Sequence, residues 1–266
     1  MDYLSQLESR SIYIMREAYN QFKNIALLWS IGKDSTTMLW IARKAFFGNI
    51  PFPVMHIDTS YKFKAIYEFR EVYVKKWNLD LLISKNEAEI QKGMSPEKGK
   101  LDCCNALKTE ALKLTIKEHG FRALLLAIRR DEHGIRAKER YFSPRDEHFT
   151  WNYKDQPAEL WDLFSAETGA EEHMRVHPML HWTEFDIWQY IMREGVPTVG
   201  LYFAKEGKRY RSIGCSPCCA PVDSDADTIK KIVSELKKTR VAERSGRAQD
   251  KEDTYTMQKL RSLGYM

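Results

Sequence analysis

Short apolar runs alternate with helix-like stretches through the first half of the chain, and this alternation narrows the fold more than any other feature. Residues 25–29 (Ile-Ala-Leu-Leu-Trp) are continuously apolar, as a parallel strand buried on both faces must be. Residues 52–57, 79–84 and 121–128 read as further strands. Between and before them, residues 11–22 place Met15, Ala18, Tyr19 and Phe22 on one helical face, and 35–47, 61–77 and 104–119 read as helices. The pattern predicts an α/β fold, a Rossmann-like parallel sheet with helices on both faces. Ligands of such sheets bind beyond the carboxyl ends of the strands. The residues that matter are therefore expected just after Trp29, Ile57 and Ile128.

Beyond Ile128 the text changes. Residues 129–154 are dense in charge with little apolar periodicity, and 205–216 form a basic loop. Thr183, with Asp186 three positions on, predicts a capped helix over 184–193, and 228–239 reads as another. Residues 240–253 are strongly charged, as a tail or a segment ordered by a ligand would be. The expected organisation is an α/β domain over 1–200 that carries the ligand crevice. A mostly helical or irregular C-terminal segment over 201–266 is expected to pack on the same site.

Composition excludes several classes. With 43% hydrophobic residues, 7 Trp, 13 Tyr and 12 Phe, the chain can bury a core, so disorder is excluded for most of it. No apolar run approaches the roughly 20 residues that span a bilayer. Met1-Asp2-Tyr3-Leu4 does not read as a signal peptide, so no membrane and a cytoplasmic location are expected. A net charge of +5 is too small to indicate a nucleic-acid binder, but suits an anionic small molecule if the positive charge is focused.

Three constellations carry chemistry. The first is Ser30-Ile31-Gly32-Lys33-Asp34-Ser35, a turn between strand one and a helix. Gly32 would let the backbone approach a ligand closely, and the helix N-terminus with Lys33 favours phosphate. Ser30 and Ser35 add hydroxyl donors, while the spacing is not that of a Walker A loop. The second follows strand four: Arg129, Arg130, Arg136, Lys138, Arg140 and Arg145. Most charge runs are solvated, self-paired faces, but this one starts at the carboxyl end of a central strand. Arginine forks match phosphate and sulfate oxygens.

The third is Cys103-Cys104 with Cys215-x-x-Cys218; Cys219 is the spare of five cysteines. An isolated buried cysteine behaves as a small hydrophobe. Two close pairs suit a [4Fe–4S] cluster or, alternatively, a structural Zn²⁺.

Ser-x-Gly-Lys-Asp-Ser after the first strand resembles the pyrophosphate loop of the adenine-nucleotide α-hydrolase superfamily, which cleaves ATP between the α and β phosphates. His56-Ile-Asp-Thr59, Arg129-Arg-Asp-Glu132, Arg136-Ala-Lys-Glu-Arg140, Trp182-Thr-Glu184 and Glu243-Arg-x-Gly-Arg247 together resemble the small, catalytic subunits of ATP sulfurylase (sulfate adenylyltransferase). The resemblance runs over nearly the whole chain. It implies a nucleotidyltransferase that joins ATP and sulfate into adenylyl sulfate and pyrophosphate. Lys33, Arg129 and Arg130 would be the catalytic cations. Ser30, Gly32, Lys33, Asp34, Ser35, His56, Asp58, Arg136 and Arg140 would hold ATP and its Mg²⁺, with a larger GTPase subunit as partner.

The context of the four cysteines resembles the cluster motif of adenylyl-sulfate reductases, and implies Cys103, Cys104, Cys215 and Cys218 as the ligands. No cysteine follows Cys219, so the tail nucleophile of those reductases is missing and a reductase is the weaker reading. The other alternative is an iron–sulfur ATP pyrophosphatase of DNA phosphorothioation or tRNA thiolation. That activity would need a cysteine desulfurase and nucleic-acid modification partners.

Overall fold

The structure, a computed structural model, describes residues 1–134, 136–169, 172–246 and 264. The chain runs α1 (Tyr3–Phe22), β1 (Ile25–Leu28), α2 (Lys33–Ala45), β2 (Val54–Ile57), α3 (Lys64–Lys76), β3 (Leu81–Ser84), α4 (Glu87–Gln91), α5 (Lys100–Cys104) and α6 (Glu110–His119). It continues through β4 (Ala123–Leu125), β5 (Phe142–Arg145), β6 (His173–Val176), α7 (Glu184–Glu194), β7 (Lys208–Arg209), β8 (Val222–Asp223) and α8 (Ile229–Leu236). Six strands form one sheet in the order β3-β2-β1-β4-β6-β5. All neighbours are parallel except β5, which runs antiparallel to β6 at the edge.

The four strands expected from apolar runs are the four at the centre and left of this order. β1, β2 and β4 are buried throughout, which is why their sequences show no polar alternation. The chain leaves β1 to one side for β2 and returns to the other side for β4. Such a switch point opens a crevice above the carboxyl ends of the two strands. Helix α1 packs on α2, α2 on α7, and α7 on α8, so one layer ties the two ends of the chain together. Thr183 and Asp186 make the reciprocal capping box read from the sequence: the Thr183 hydroxyl accepts from the Asp186 amide, and the Asp186 carboxylate accepts from the Thr183 amide at 2.8 Å.

Several local expectations change. The helix expected over 104–119 is broken: α5 ends at Cys104, a π-helical turn spans Asn105–Thr109, and α6 follows. Such turns carry an extra residue and re-aim the side chains beside them. The charged stretch after Ile128 contains an edge strand, β5, and the inner strand β6 was not expected at all. Both hide charge where apolar residues are the rule. Buried Arg145 donates to Ser143 and to Glu139, and buried Arg175 donates to the Gly264 carbonyl. Paired buried charges break the periodic pattern that sequence reading relies on. The C-terminal segment holds a small β7–β8 hairpin besides its helix. Arg247 and the rest of the charged stretch to residue 253 lie outside the described residues.

Candidate active site

Strand β1 ends at Leu28 and the chain turns through Ser30, Ile31 and Gly32 into α2. The left-handed backbone of this turn falls on Ile31 (φ 65°), while Gly32 has φ −71° and caps the helix. A β-branched residue at that φ is strained, and strain of this kind persists where the surroundings impose it. Gly32 serves close approach instead. A Cβ there would lie 3.4 Å from both Ser30 Oγ and Tyr202 Oη. Ser30 Oγ and Ser35 Oγ are 3.0 Å apart, and the Lys33 amide donates to Tyr202 Oη at 2.8 Å. Tyr202 thereby brings the segment after residue 200 onto the first loop.

The cavity above β1 and β4 is lined by Ser30, Gly32, Lys33, Asp34 and Ser35 from this loop, Ala127 and Ile128 from beyond β4, and Arg136 and Glu132 from the charged stretch. Met55 and Ile57 form its β2 side. Lys62, Lys108, Gly214, Tyr202 and Arg244 also face it, and these were not singled out from the sequence.

Lys33, which lines the cavity, and Arg129, which lies just outside its lining, share the carboxylates of Asp34 and Glu243, and both cations are almost fully buried. Arg129 Nε donates to Asp131 at 2.9 Å, and its two terminal nitrogens pair with Asp34 and Glu243. Lys33 Nζ reaches Asp34 at 3.1 Å and also pairs with Glu243. Burial alone would lower the pKa of both cations. The Glu243 carboxylate beside them reverses this and holds both above their ordinary values. Glu243 itself is held below the usual carboxylate range, because Arg129 and Lys33 outweigh its burial. Glu132 is likewise kept ionised by Arg136, Arg244 and other cations against its burial. Lys33, Arg129, Glu132 and Glu243 are therefore charged at neutral pH.

Other expected residues lie elsewhere. The Arg130 guanidinium stacks 5.3 Å from the Tyr141 ring centre, and Arg140 is exposed. None of Arg129, Arg130 and Arg140 lines the cavity itself, but Arg129 alone of the three pairs with Asp34 on its wall. The His56 ring turns away from it, with Nδ1 2.9 Å from the Trp29 carbonyl and a buried Nε2. Asp58 accepts from the Ser60 amide and the Tyr67 hydroxyl, each at 2.8 Å. These two side chains fasten the end of β2.

Burial, helped by nearby Lys62, pushes the His56 imidazole from 6.5 down to about 4. As pH falls through this window the unfolded chain takes up the proton first. The stability linked to neutral His56 is complete above about 6.5 and is lost as pH falls towards about 4. The loss between pH 7 and pH 5 amounts to about 2 kcal/mol. Urea unfolding of wild type and His56→Asn at the two pH values should show a smaller pH loss in the variant by about that amount. Equal losses would mean that His56 is not the buried neutral group.

The cysteines gather at one side of the cavity. Cys103, Cys104, Cys215 and Cys218 are all buried. Burial and the neighbouring Cys104 and Cys215 push the Cys103 thiol up to about 12, and burial with Cys215 and Cys104 raises Cys218. Cys215 Sγ lies 3.1 Å from Thr59 Oγ1, and Lys108 Nζ donates to Cys104 Sγ at 3.7 Å. Among the described residues, no three His, Cys, Asp or Glu side chains stand in an arrangement that holds a metal ion as placed. The donor set nonetheless fits a soft cation or an iron–sulfur cluster: four thiols at one place, which cannot ionise together without positive charge between them.

Comparison with known proteins agrees with this geometry. The family model described as "Phosphoadenosine phosphosulfate reductase domain" matches residues 24–221. Sulfate adenylyltransferase subunit 2 of Shewanella pealeana is 40% identical over 296 residues, covering 100% of this chain and 98% of that protein. The protein of the same name from Pseudomonas fluorescens is 39% identical over 300 residues with the same coverage. Among solved structures, phosphoadenylyl-sulfate reductase from Candida auris superposes with a TM-score of 0.56 at 17% identity, over 84% of this chain and 98% of that one. Candida glabrata FMN adenylyltransferase in complex with ATP gives 0.58 at 16% identity, over 98% of this chain and 83% of that one. These two likenesses concern the fold alone. With the family model spanning most of the chain and the sequence matches its full length, this chain belongs to the sulfate adenylyltransferase subunit 2 family, within the phosphoadenosine phosphosulfate reductase-like fold.

Proposed function

We propose that this chain transfers the adenylyl group of ATP to sulfate, giving adenylyl sulfate and pyrophosphate. The observation that carries the reading is the meeting of Lys33 and Arg129, buried and charged, at the switch point of the sheet. A sulfate oxygen attacks the α-phosphorus, and the bond from that phosphorus to the α–β bridging oxygen breaks. The electron pair leaves with pyrophosphate. No enzyme nucleophile is needed, so the work is positioning and neutralisation of charge. Lys33, Arg129 and the hydroxyls of Ser30 and Ser35 hold the departing pyrophosphate, while Arg136 lies on the wall where further phosphate or sulfate oxygens come. Arg130 and Arg140 are assigned no direct part, since their side chains point elsewhere. Mg²⁺ arriving with the nucleotide would neutralise part of the polyphosphate charge, and Asp34, whose oxygens pair with Lys33 and Arg129 here, is the carboxylate we assign to it.

The proposal extends to the organisation of the chain. Residues 1–200 carry the nucleotide, and 201–266 close over it through Tyr202, Glu243 and Arg244. Cys103, Cys104, Cys215 and Cys218 hold a [4Fe–4S] cluster, with Zn²⁺ the alternative. A larger GTPase subunit is the partner, because formation of adenylyl sulfate is strongly uphill and needs coupling. The working place is the cytoplasm.

The cysteine set favours one further reading, an iron–sulfur ATP pyrophosphatase serving thiolation. Exchange of labelled pyrophosphate into ATP separates the two, using anaerobically purified protein with its copurifying partners. Strong dependence on sulfate is expected. Exchange or ATP cleavage indifferent to sulfate would transfer the assignment to the thiolation enzyme.

A further inference from the structure

The two cations of the polyphosphate site are already paired with carboxylates: Asp34 and Asp131 from nearby, and Glu243 from a distant part of the chain. Glu243 sits in the 3-10 turn Glu243–Gly246 and is buried. One of its oxygens takes Lys33 Nζ and the other an Arg129 terminal nitrogen. It bridges the two cations as two oxygens of a phosphate would. The next residue, Arg244, lines the same cavity and donates to Glu132 at 3.0 Å. The turn is thus set into the site from both sides of one peptide bond.

Buried cations without counter-anions would be costly; Asp34 and Asp131 offset part of that cost from nearby positions, and Glu243 is the third carboxylate, brought from a distant segment. A polyphosphate cannot simply be added to this arrangement. Its oxygens would compete for the same donors and meet the Glu243 charge at close range in a poorly screened place.

We propose that Glu243 is the resident counter-anion of the polyphosphate site. ATP enters by displacing its carboxylate from Lys33 and Arg129, and its return helps expel pyrophosphate after the reaction. Glu243 acts through the two cations, so it is a positioning residue whose effect divides between binding and release. The inference rests on the reading of this cavity as the polyphosphate site.

Calorimetric titration of the full chain with inorganic pyrophosphate tests it, in wild type, Glu243→Gln, Glu243→Asp and Lys33→Ala. Glu243→Gln, which keeps the shape and removes the charge, is expected to bind pyrophosphate about tenfold more tightly or better, the scale of one close charge pair in a desolvated site. Its KM for ATP should fall and its kcat should fall as well, because release becomes slower. Glu243→Asp retains the charge and should move affinity, KM and kcat back towards wild type. Should Glu243→Gln be poorly stable alone, melting curves keep the test open: pyrophosphate must raise its melting temperature more than that of wild type. If Lys33→Ala loses pyrophosphate while Glu243→Gln binds it no better than wild type and gains no extra melting shift, the counter-anion role is overturned and the cavity assignment survives. If Lys33→Ala binds pyrophosphate as wild type does, the cavity assignment itself fails, and the inference with it.

Discussion

Arg129→Ala is expected to lower sulfate-dependent turnover by roughly 10²–10³-fold, the scale of removing one donor from a preorganised oxyanion site. Arg129 leaves the carboxyl end of β4 with no exposed surface, and three carboxylates hold its fork. A group so fixed loses little freedom when phosphate oxygens arrive, and its charge acts in a place where water screens poorly. Lys33→Ala should cost a similar factor, since Lys33 opens α2 beside the same oxygens.

Stability must be measured alongside. Deleting Arg129 leaves Glu243 and Asp34 with one buried cation between them, and breaking a buried pair costs about 3–5 kcal/mol. Arg129→Lys separates the two effects. It restores a charge, and most of the stability, but not the planar fork that binds two oxygens at once. The expected order of turnover is wild type, then Arg129→Lys, then Arg129→Ala, read by sulfate-dependent pyrophosphate exchange on protein shown folded by circular dichroism. Full turnover in folded Arg129→Ala would remove this arginine from the mechanism.

The second large effect concerns the cysteines. Protein purified without oxygen is expected to contain roughly four iron and four sulfide per chain. Cys218→Ser should lose nearly all of it and several kcal/mol of stability, because metal-binding energy in such a site is folding energy. The sign with pH follows from the thiols. Cys103 alone holds its proton up to about 12, so loading must release protons, and retention weakens as pH falls. Metal analysis after dialysis against chelator at pH 8 and pH 6 should show the greater loss at pH 6. Stoichiometric zinc without sulfide would select the alternative metal. Colourless, metal-free wild type of undiminished stability would end the ligand assignment.

The legible part of the molecule lay where local rules act alone. The apolar runs of β1, β2 and β4 and the Thr183–Asp186 box could be read residue by residue, because burial on both faces and capping are local demands. The position of the first loop followed from strand–turn–helix order. β6 escaped because His173 and Arg175 fill buried positions of a strand: burial lowers the His173 pKa, and Arg175 is met by the Gly264 carbonyl 89 positions along the chain. Gly32 was singled out for its backbone freedom, yet the left-handed residue is Ile31. No local rule foresees that, since Ile is among the residues least suited to it.

The site divides in the same way. Lys33, Arg129 and the four cysteines could be chosen from their types and their places after predicted elements. Arg130 and Arg140, equal to Arg129 in type and near it in sequence, could not be separated from it until the strand direction had been fixed in space. Glu243 is quoted from the sequence only within the family-like stretch Glu243-Arg-x-Gly-Arg247, with no role; its meaning depends on Lys33, 210 positions away. The sequence by itself determined the strand–helix order, the strand ends after Trp29, Ile57 and Ile128 as the place of the site, and the chemical types available there, because each follows from neighbours within a few residues; the switch point between β1 and β4 came from the sheet order. Only the tertiary structure decided which cations lie at the cavity, that the two cysteine pairs meet, and that the Glu243 carboxylate from a distant segment pairs with both Lys33 and Arg129. Charges act through space, and their partners are chosen by the fold rather than by spacing along the chain.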